Sequence, residues 1–164
     1  MRLLGYSLFA LLVLAGDFIT KRWIATRMEI GEEFSVIGDF FLIASHRNRG
    51  AAFGILQDQR IFFLIITTVI LIGLVTYVVV MRNRGRATLL TGLSLILAGT
   101  TGNFIDRIRS GEVVDFLKFN FGDYTFPLFN VADSALFCGV VLILIDTLLT
   151  EREEKRSQDL QPVR

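Results

Sequence analysis

Hydrophobic and polar positions divide the chain into four long apolar runs separated by polar segments. Ile61 to Met81 carries no charge. At about 1.5 Å per residue it reaches roughly 30 Å as a helix, the thickness of a bilayer's hydrocarbon core. Leu3 to Gly16, extended by Asp17 to Ile24, predicts a second span, and Ala87 to Ile105 and Val131 to Leu149 complete a set of four. The loops at residues 25–60 and 106–130 change period. Phe34 to Ile37, Gly38-Asp39 and Phe40 to Ile43 read as a hairpin. Val113 to Phe119, a turn near Gly122-Asp123, and Tyr124 to Pro127 repeat that signal. The predicted fold is an all-α membrane protein: four transmembrane helices with a small extracytoplasmic β-sheet on the membrane surface. Residues 1–150 form its single domain, both loops included, and residues 151–164 a charged, frayed cytoplasmic tail.

Composition agrees, since 52% hydrophobic residues is too many for an ordinary soluble domain. The N-terminal pattern of Arg2, an apolar core and Leu14-Ala15-Gly16 imitates a secretory signal. Asp17 stands where a lipoprotein would have cysteine, so an uncleaved anchor helix is expected. Four spans put both termini on one side. Eight basic residues fall on that side and nine on the other, so raw count does not orient the chain. The eight are concentrated in short flanks (Arg82, Arg84 and Arg86 between two spans), and the positive-inside rule then predicts cytoplasmic termini with both long loops outside. A net charge of +1 gives no electrostatic case for nucleic acid. Cys138 is the only cysteine and His46 the only histidine. This excludes a disulfide within the chain and argues against zinc. His46 reads as an interfacial side chain.

The chemistry must then come from carboxylates, which are costly beside lipid and are candidates for function wherever they occur there. Asp17 and Lys21 are four apart on one helix face, either a snorkelling pair at the membrane edge or a clamp beneath a site. The second span holds nothing polar beyond threonines and is expected to face lipid. The third is lined with small residues, permitting close packing, and ends in Asn103, Asp106 and Arg107 at helical-neighbour spacings. An interface anchor explains that end as well as a site does. In a strand, Asp115 shares a face with Val113, Leu117 and Phe119, surroundings that raise a carboxyl pKa. Asn130 and Asp133 have the spacing of a helix cap, and capping alone accounts for them equally well. Asp146 reads as interfacial. Two aspartates brought together can hydrolyse an amide without a metal: one activates water while its protonated neighbour hydrogen-bonds the carbonyl. Asp115 and Asp133 are the best such pair, with Asp133 the more often ionised because the helix dipole favours a negative charge in the first turn.

Five stretches in order resemble the motifs of the lipoprotein signal peptidase (signal peptidase II) family. They are Asp17-Phe18-Ile19-Thr20-Lys21, Asn48-Arg49-Gly50-Ala51-Ala52-Phe53, Gly102-Asn103-Phe104-Ile105-Asp106-Arg107, Val113-Val114-Asp115-Phe116 and Phe129-Asn130-Val131-Ala132-Asp133-Ser134. The resemblance implies an aspartyl endopeptidase of the bacterial inner membrane, acting at its outer face. Its substrates would be prolipoproteins carrying a diacylglyceryl cysteine, cut just before that residue. It implies Asp115 and Asp133 as the catalytic dyad, and Asn48, Asn103, Arg107 and Asn130 as residues that hold the peptide or orient the dyad. Asp17, Lys21 and Asp106 would support them. No metal or cofactor is implied, and a monomer in membrane lipid is expected. The family usually has Gly-Gly-Ala before Gly-Asn where this chain has Ala98-Gly99-Thr100-Thr101, a departure that bears on packing of the third helix and on substrate fit. Two rivals remain at this point: a non-enzymatic four-span binding or transport protein, and an aspartyl protease of unlipidated helices. The lack of Gly-x-Gly-Asp weighs against the prepilin-peptidase and presenilin types.

Overall fold

The computed structural model describes residues 2–50 and 55–159. The chain runs α1 (Arg2–Arg27), β1 (Glu33–Ile37), β2 (Phe41–Asn48), α2 (Arg60–Met81), α3 (Ala87–Arg109), β3 (Val113–Phe121), β4 (Tyr124–Thr125) and α4 (Val131–Asp159). All four helices are long and apolar enough to cross a membrane. The strands form one antiparallel sheet in the order β1-β2-β3-β4. The Ala51-Ala52-Phe53 part of the second motif, with the turn expected there, lies outside the described residues.

The helices divide into a wall and a core. α2 has no buried residue, as its featureless apolar sequence predicts for a lipid-facing span. α3 buries Leu90, Gly92, Leu93, Ser94, Ala98, Gly99, Gly102 and Asn103, and packs most extensively on α4. Close approach of the two backbones is the reason small residues recur here. A Cβ on Gly92 would stand 2.8 Å from the Gly139 carbonyl oxygen, and one on Gly139 would stand 2.7 Å from that of Gly92. The two glycines therefore make one reciprocal contact. Nearer the sheet, a Cβ on Gly99 would overlap the Ala132 carbonyl oxygen. Thr100 and Thr101, part of the departure in this helix, are only half-buried.

Three features differ from expectation. α3 continues past Ile105 to Arg109, because Asp106 and Arg107 find partners within the protein. α4 continues through Glu151 to Asp159 where a frayed tail was expected. Glu, Arg, Lys and Gln are strong helix formers, and Arg86 ties this extension down by donating to Glu153 at 2.9 and 3.2 Å. Asp146, read as interfacial, is 6% exposed and 3.5 Å from Arg86 in the link before α3, so it is covered by protein at that end of the bundle and does not face water.

The sheet joins the two outer loops. β2 pairs with β3 so that Asn48 lies opposite Val113 and His46 opposite Asp115. After β4 the chain returns along β3: the Phe116 and Leu117 N–H groups donate to the Phe129 carbonyl at 3.0 and 2.9 Å, and Phe129 N–H donates to Leu117 at 3.2 Å. Phe119 stacks on Phe41 (4.7 Å) and on Phe129 (5.9 Å). This short return fixes Asn130, the residue before α4, beside the strand that carries Asp115.

Candidate active site

The first turn of α4 is closed by a reciprocal pair of bonds. Asp133 N–H donates to Asn130 Oδ1 at 2.9 Å, and Asn130 N–H donates to Asp133 Oδ2 at 3.2 Å. Capping is thus real, but it does not exhaust either side chain. Asp133 Oδ1 accepts from Asn103 Nδ2 at 2.7 Å, and Asn130 Nδ2 donates to Asp115 Oδ1 at 2.7 Å. Asn48 Nδ2 donates to the other Asp115 oxygen at 2.9 Å, while Asn48 Oδ1 accepts from Gly50 N–H at 2.9 Å. Asn130 joins the two halves: its backbone serves one aspartate and its amide the other.

Asp115 is 2% exposed. Burial pushes its carboxyl up to about 6, against the bond from Asn48 and with the help of the nearby Asp133 charge. The two aspartates share the walls of a cavity of about 330 Å³ with Asn48, Asn103 and Arg107. Pro127, Leu128, Phe129 and Leu136 supply its apolar side. Asn130, fully buried, stands behind that surface. Arg107 donates to the Gly50 carbonyl at 3.0 Å and lies 4.7 Å over the Phe63 ring.

Beneath the cavity sits Lys21, 3% exposed, with its Nζ 2.8 Å from each of Asp17 Oδ2, Asp106 Oδ2 and Asn103 Oδ1. Asn103 Oδ1 accepts a hydrogen bond from it, and the two carboxylates balance its charge by ion pairing, Asp106 Oδ2 without a hydrogen bond of its own. Asp17 Oδ1 in turn accepts from Ala132 N–H at 2.8 Å, satisfying one of the free donors at the start of α4. The pair is therefore no snorkelling pair but an internal tie from α1 to both α3 and α4. His46 is exposed with no side-chain hydrogen bond among the described residues, and Cys138 is exposed on α4. Among the described residues no group of three or more His, Cys, Asp or Glu side chains is placed to hold a metal.

All nine residues singled out from sequence thus belong to one connected cluster. Sequence reasoning missed the contact of Lys21 with Asn103, 82 positions away, for which no local signal exists. It also missed the apolar wall at Pro127–Phe129, which an uncharged run directly before a helix cap could have flagged.

A family model described as signal peptidase (SPase) II matches residues 9–149. The chain belongs to the signal peptidase II family. A lipoprotein signal peptidase of Shouchella clausii (strain KSM-K16) is 48% identical over 148 residues, covering 90% of this chain and 95% of the relative. One of Staphylococcus aureus is 47% identical over 154 residues, covering 94% and 93%. A solved bacterial membrane enzyme matches with a TM-score of 0.84 at 46% identity over 98% of this chain and 95% of its own. The matched residues include every side chain of the cluster. Membership makes this a multi-pass membrane protease, and the likeness of structure extends to the small sheet.

Proposed function

We propose that the chain is an aspartyl endopeptidase that removes signal peptides from diacylglyceryl-modified bacterial prolipoproteins, cutting before the lipidated cysteine. The observation that carries this reading is the meeting of Asp115 and Asp133 on one cavity wall where the sheet joins α4. Asp133, in the first turn of a helix and accepting two N–H groups, suits the ionised partner. Asp115, whose carboxyl is raised to about 6 by burial and so holds its proton further up the pH scale than an ordinary aspartate, suits the acid.

Asp133 takes a proton from water as the oxygen attacks the scissile carbonyl carbon, while Asp115 gives its proton to the carbonyl oxygen. As the tetrahedral intermediate collapses, the carbon–nitrogen bond breaks, Asp133 passes its proton to the leaving amine, and Asp115 recovers its own. Asn48, Asn103 and Asn130 hold the carboxylates, and Arg107 is placed to meet the peptide backbone. Lys21, Asp17 and Asp106 support Asn103 from below. A substrate held in lipid by its acyl chains presents its scission point at the membrane surface, which four helices beneath a sheet can reach without extracting it. In this reading the termini are cytoplasmic, the site faces outward, and the working unit is a monomer that needs no cofactor.

The test is cleavage of a diacylglyceryl-modified prolipoprotein by purified protein, beside Asp115→Asn and Asp133→Asn. Wild type should cut before the lipidated cysteine, and each folded variant should lose about 10²–10⁴-fold in rate. An inert wild type returns the protein to the binding-protein reading. Equal cleavage of an unlipidated substrate removes the lipid requirement, and active variants remove the dyad.

A further inference from the structure

We propose that the seam between α1 and α3 binds one anionic phospholipid, in a site separate from the aspartate cavity and independent of the peptidase reading. α3 presents two faces. Asn103 and Arg107 line the aspartate cavity, whereas Ile105, Asp106 and Arg109 turn toward α1. Between those faces and α1 lie two cavities that share no lining residue with the aspartate cavity. One, of about 370 Å³ at the sheet end, is lined by Arg22, Thr26, Arg109 and Ser110 with Lys21 at its base. The other, of about 320 Å³ and almost wholly apolar, runs deeper between Leu11, Leu14 and Ile105. Phe18 and Asp106 form walls of both, so the cavities adjoin.

This is a polar mouth above an apolar groove, the two-part chemistry of a glycerophospholipid. Along α1, Leu11 to Arg22 rises about 16 Å, close to half of the roughly 30 Å hydrocarbon core. The groove is therefore one leaflet deep. The charge selects the headgroup. Arg22 and Arg109 have no acidic partner among the described residues, and Arg109 rests 5.6 Å from the Phe18 ring centroid. Asp106, the one acid in the mouth, is already held by Lys21 at 2.8 Å. Two guanidinium groups with no acidic partner among the described residues match a phosphodiester, whose oxygens guanidinium binds in a forked geometry that ammonium cannot. The Thr26 and Ser110 hydroxyls already donate to backbone carbonyls.

The probe is phosphatidylglycerol, titrated against the purified full chain in neutral-lipid nanodiscs and read by native mass spectrometry and thermal unfolding. Wild type should retain one phosphatidylglycerol in preference to phosphatidylcholine. At roughly fivefold per arginine, Arg22→Gln with Arg109→Gln should weaken retention about thirtyfold. Ala15→Phe, which fills the groove without changing charge, should also lower it. Arg82→Gln with Arg84→Gln removes equal charge at the opposite end and should leave retention unchanged. Equal losses in both arginine pairs would mean general attraction and overturn the site. Stabilisation by soluble glycerol phosphate to the same extent as by the lipid would overturn the lipid as occupant. Insensitivity to Ala15→Phe would overturn the groove.

Discussion

Lys21→Met is the perturbation that separates an internal tie from an incidental contact. The change keeps most of the side-chain volume and removes a cation whose Nζ lies 2.8 Å from three acceptors. Lys21 and Asp17 side chains are 4% and 3% exposed and that of Asp106 is 18%, so solvent screens little. Breaking a buried ion pair from one side typically costs about 3–5 kcal/mol. Three circumstances favour the lower end here. Asp17 keeps its bond from Ala132 N–H, a carboxylate left alone can take up a proton, and helices separated within a membrane still find polar partners. The expected loss is about 3 kcal/mol. A second variant adds Asp17→Asn and Asp106→Asn, which leaves no uncompensated charge and should recover about 2 kcal/mol of it. Thermal unfolding in one detergent measures both. The same variants report on the site, because Asn103 Oδ1 loses its ammonium donor while its amide still reaches Asp133. Activity per folded molecule should fall in Lys21→Met and stay low in the triple variant, since neither restores that bond. A Lys21→Met protein as stable and as active as wild type would refute the reasoning.

Other outcomes follow from the same geometry. Asp115 has its carboxyl raised from 3.8 to about 6 in the folded protein, so the folded state holds the proton more tightly. Its contribution to stability is fully present below 3.8 and is lost as pH rises through about 6, at most about 3 kcal/mol. Denaturation across pH 4 to 8 should show this slope, and Asp115→Asn should flatten it. In the free enzyme, kcat/KM should fall as pH rises above about 6, when Asp115 gives up its proton; a flat profile from 5 to 8 would contradict the assignment of the acid. Gly99→Ala drives a methyl into the Ala132 carbonyl and should cost about 1–3 kcal/mol in thermal stability. Gly73→Ala, with open space around it, should be neutral or stabilising by up to about 1 kcal/mol.

What the sequence makes legible is local. An uncharged run of bilayer length admits one reading, so α2 is found to within a residue. Alternation over a few positions announces both hairpins, and the Asn130–Asp133 spacing announces the helix start. Helix ends are harder to read, because a charge also marks the edge of lipid. Asp106 instead pairs with Lys21 and Arg107 donates to backbone carbonyls, and the charged run after Leu149 is itself helix-forming. Long-range pairing leaves no local mark. Nothing in Asn48 or Asp115 alone reveals that β2 lies against β3, or that the return at Phe129 brings Asn130 to Asp115. The carboxylates are visible as chemistry out of place, and Asn103 and Asn130 by their spacing to Asp106 and Asp133, but that these asparagines hold the dyad is implied only by the family likeness.

The tie from Asp17 and Lys21 to Asn103 and Ala132 also bears on how the protein is made. Synthesis delivers α1 to the bilayer well before α3 and α4 exist. Its two charges stand one turn apart, so they can neutralise each other while the helix waits. Only when the last span is threaded does Asp17 find Ala132 N–H, and only then does the turn bearing Asp133 acquire its place beside Asp115. A nascent chain halted after its third span has neither the second aspartate nor the anchor that positions it. On the aspartyl reading proposed above, proteolytic competence waits on completion of the polypeptide, which keeps a half-inserted chain from acting on the membrane around it.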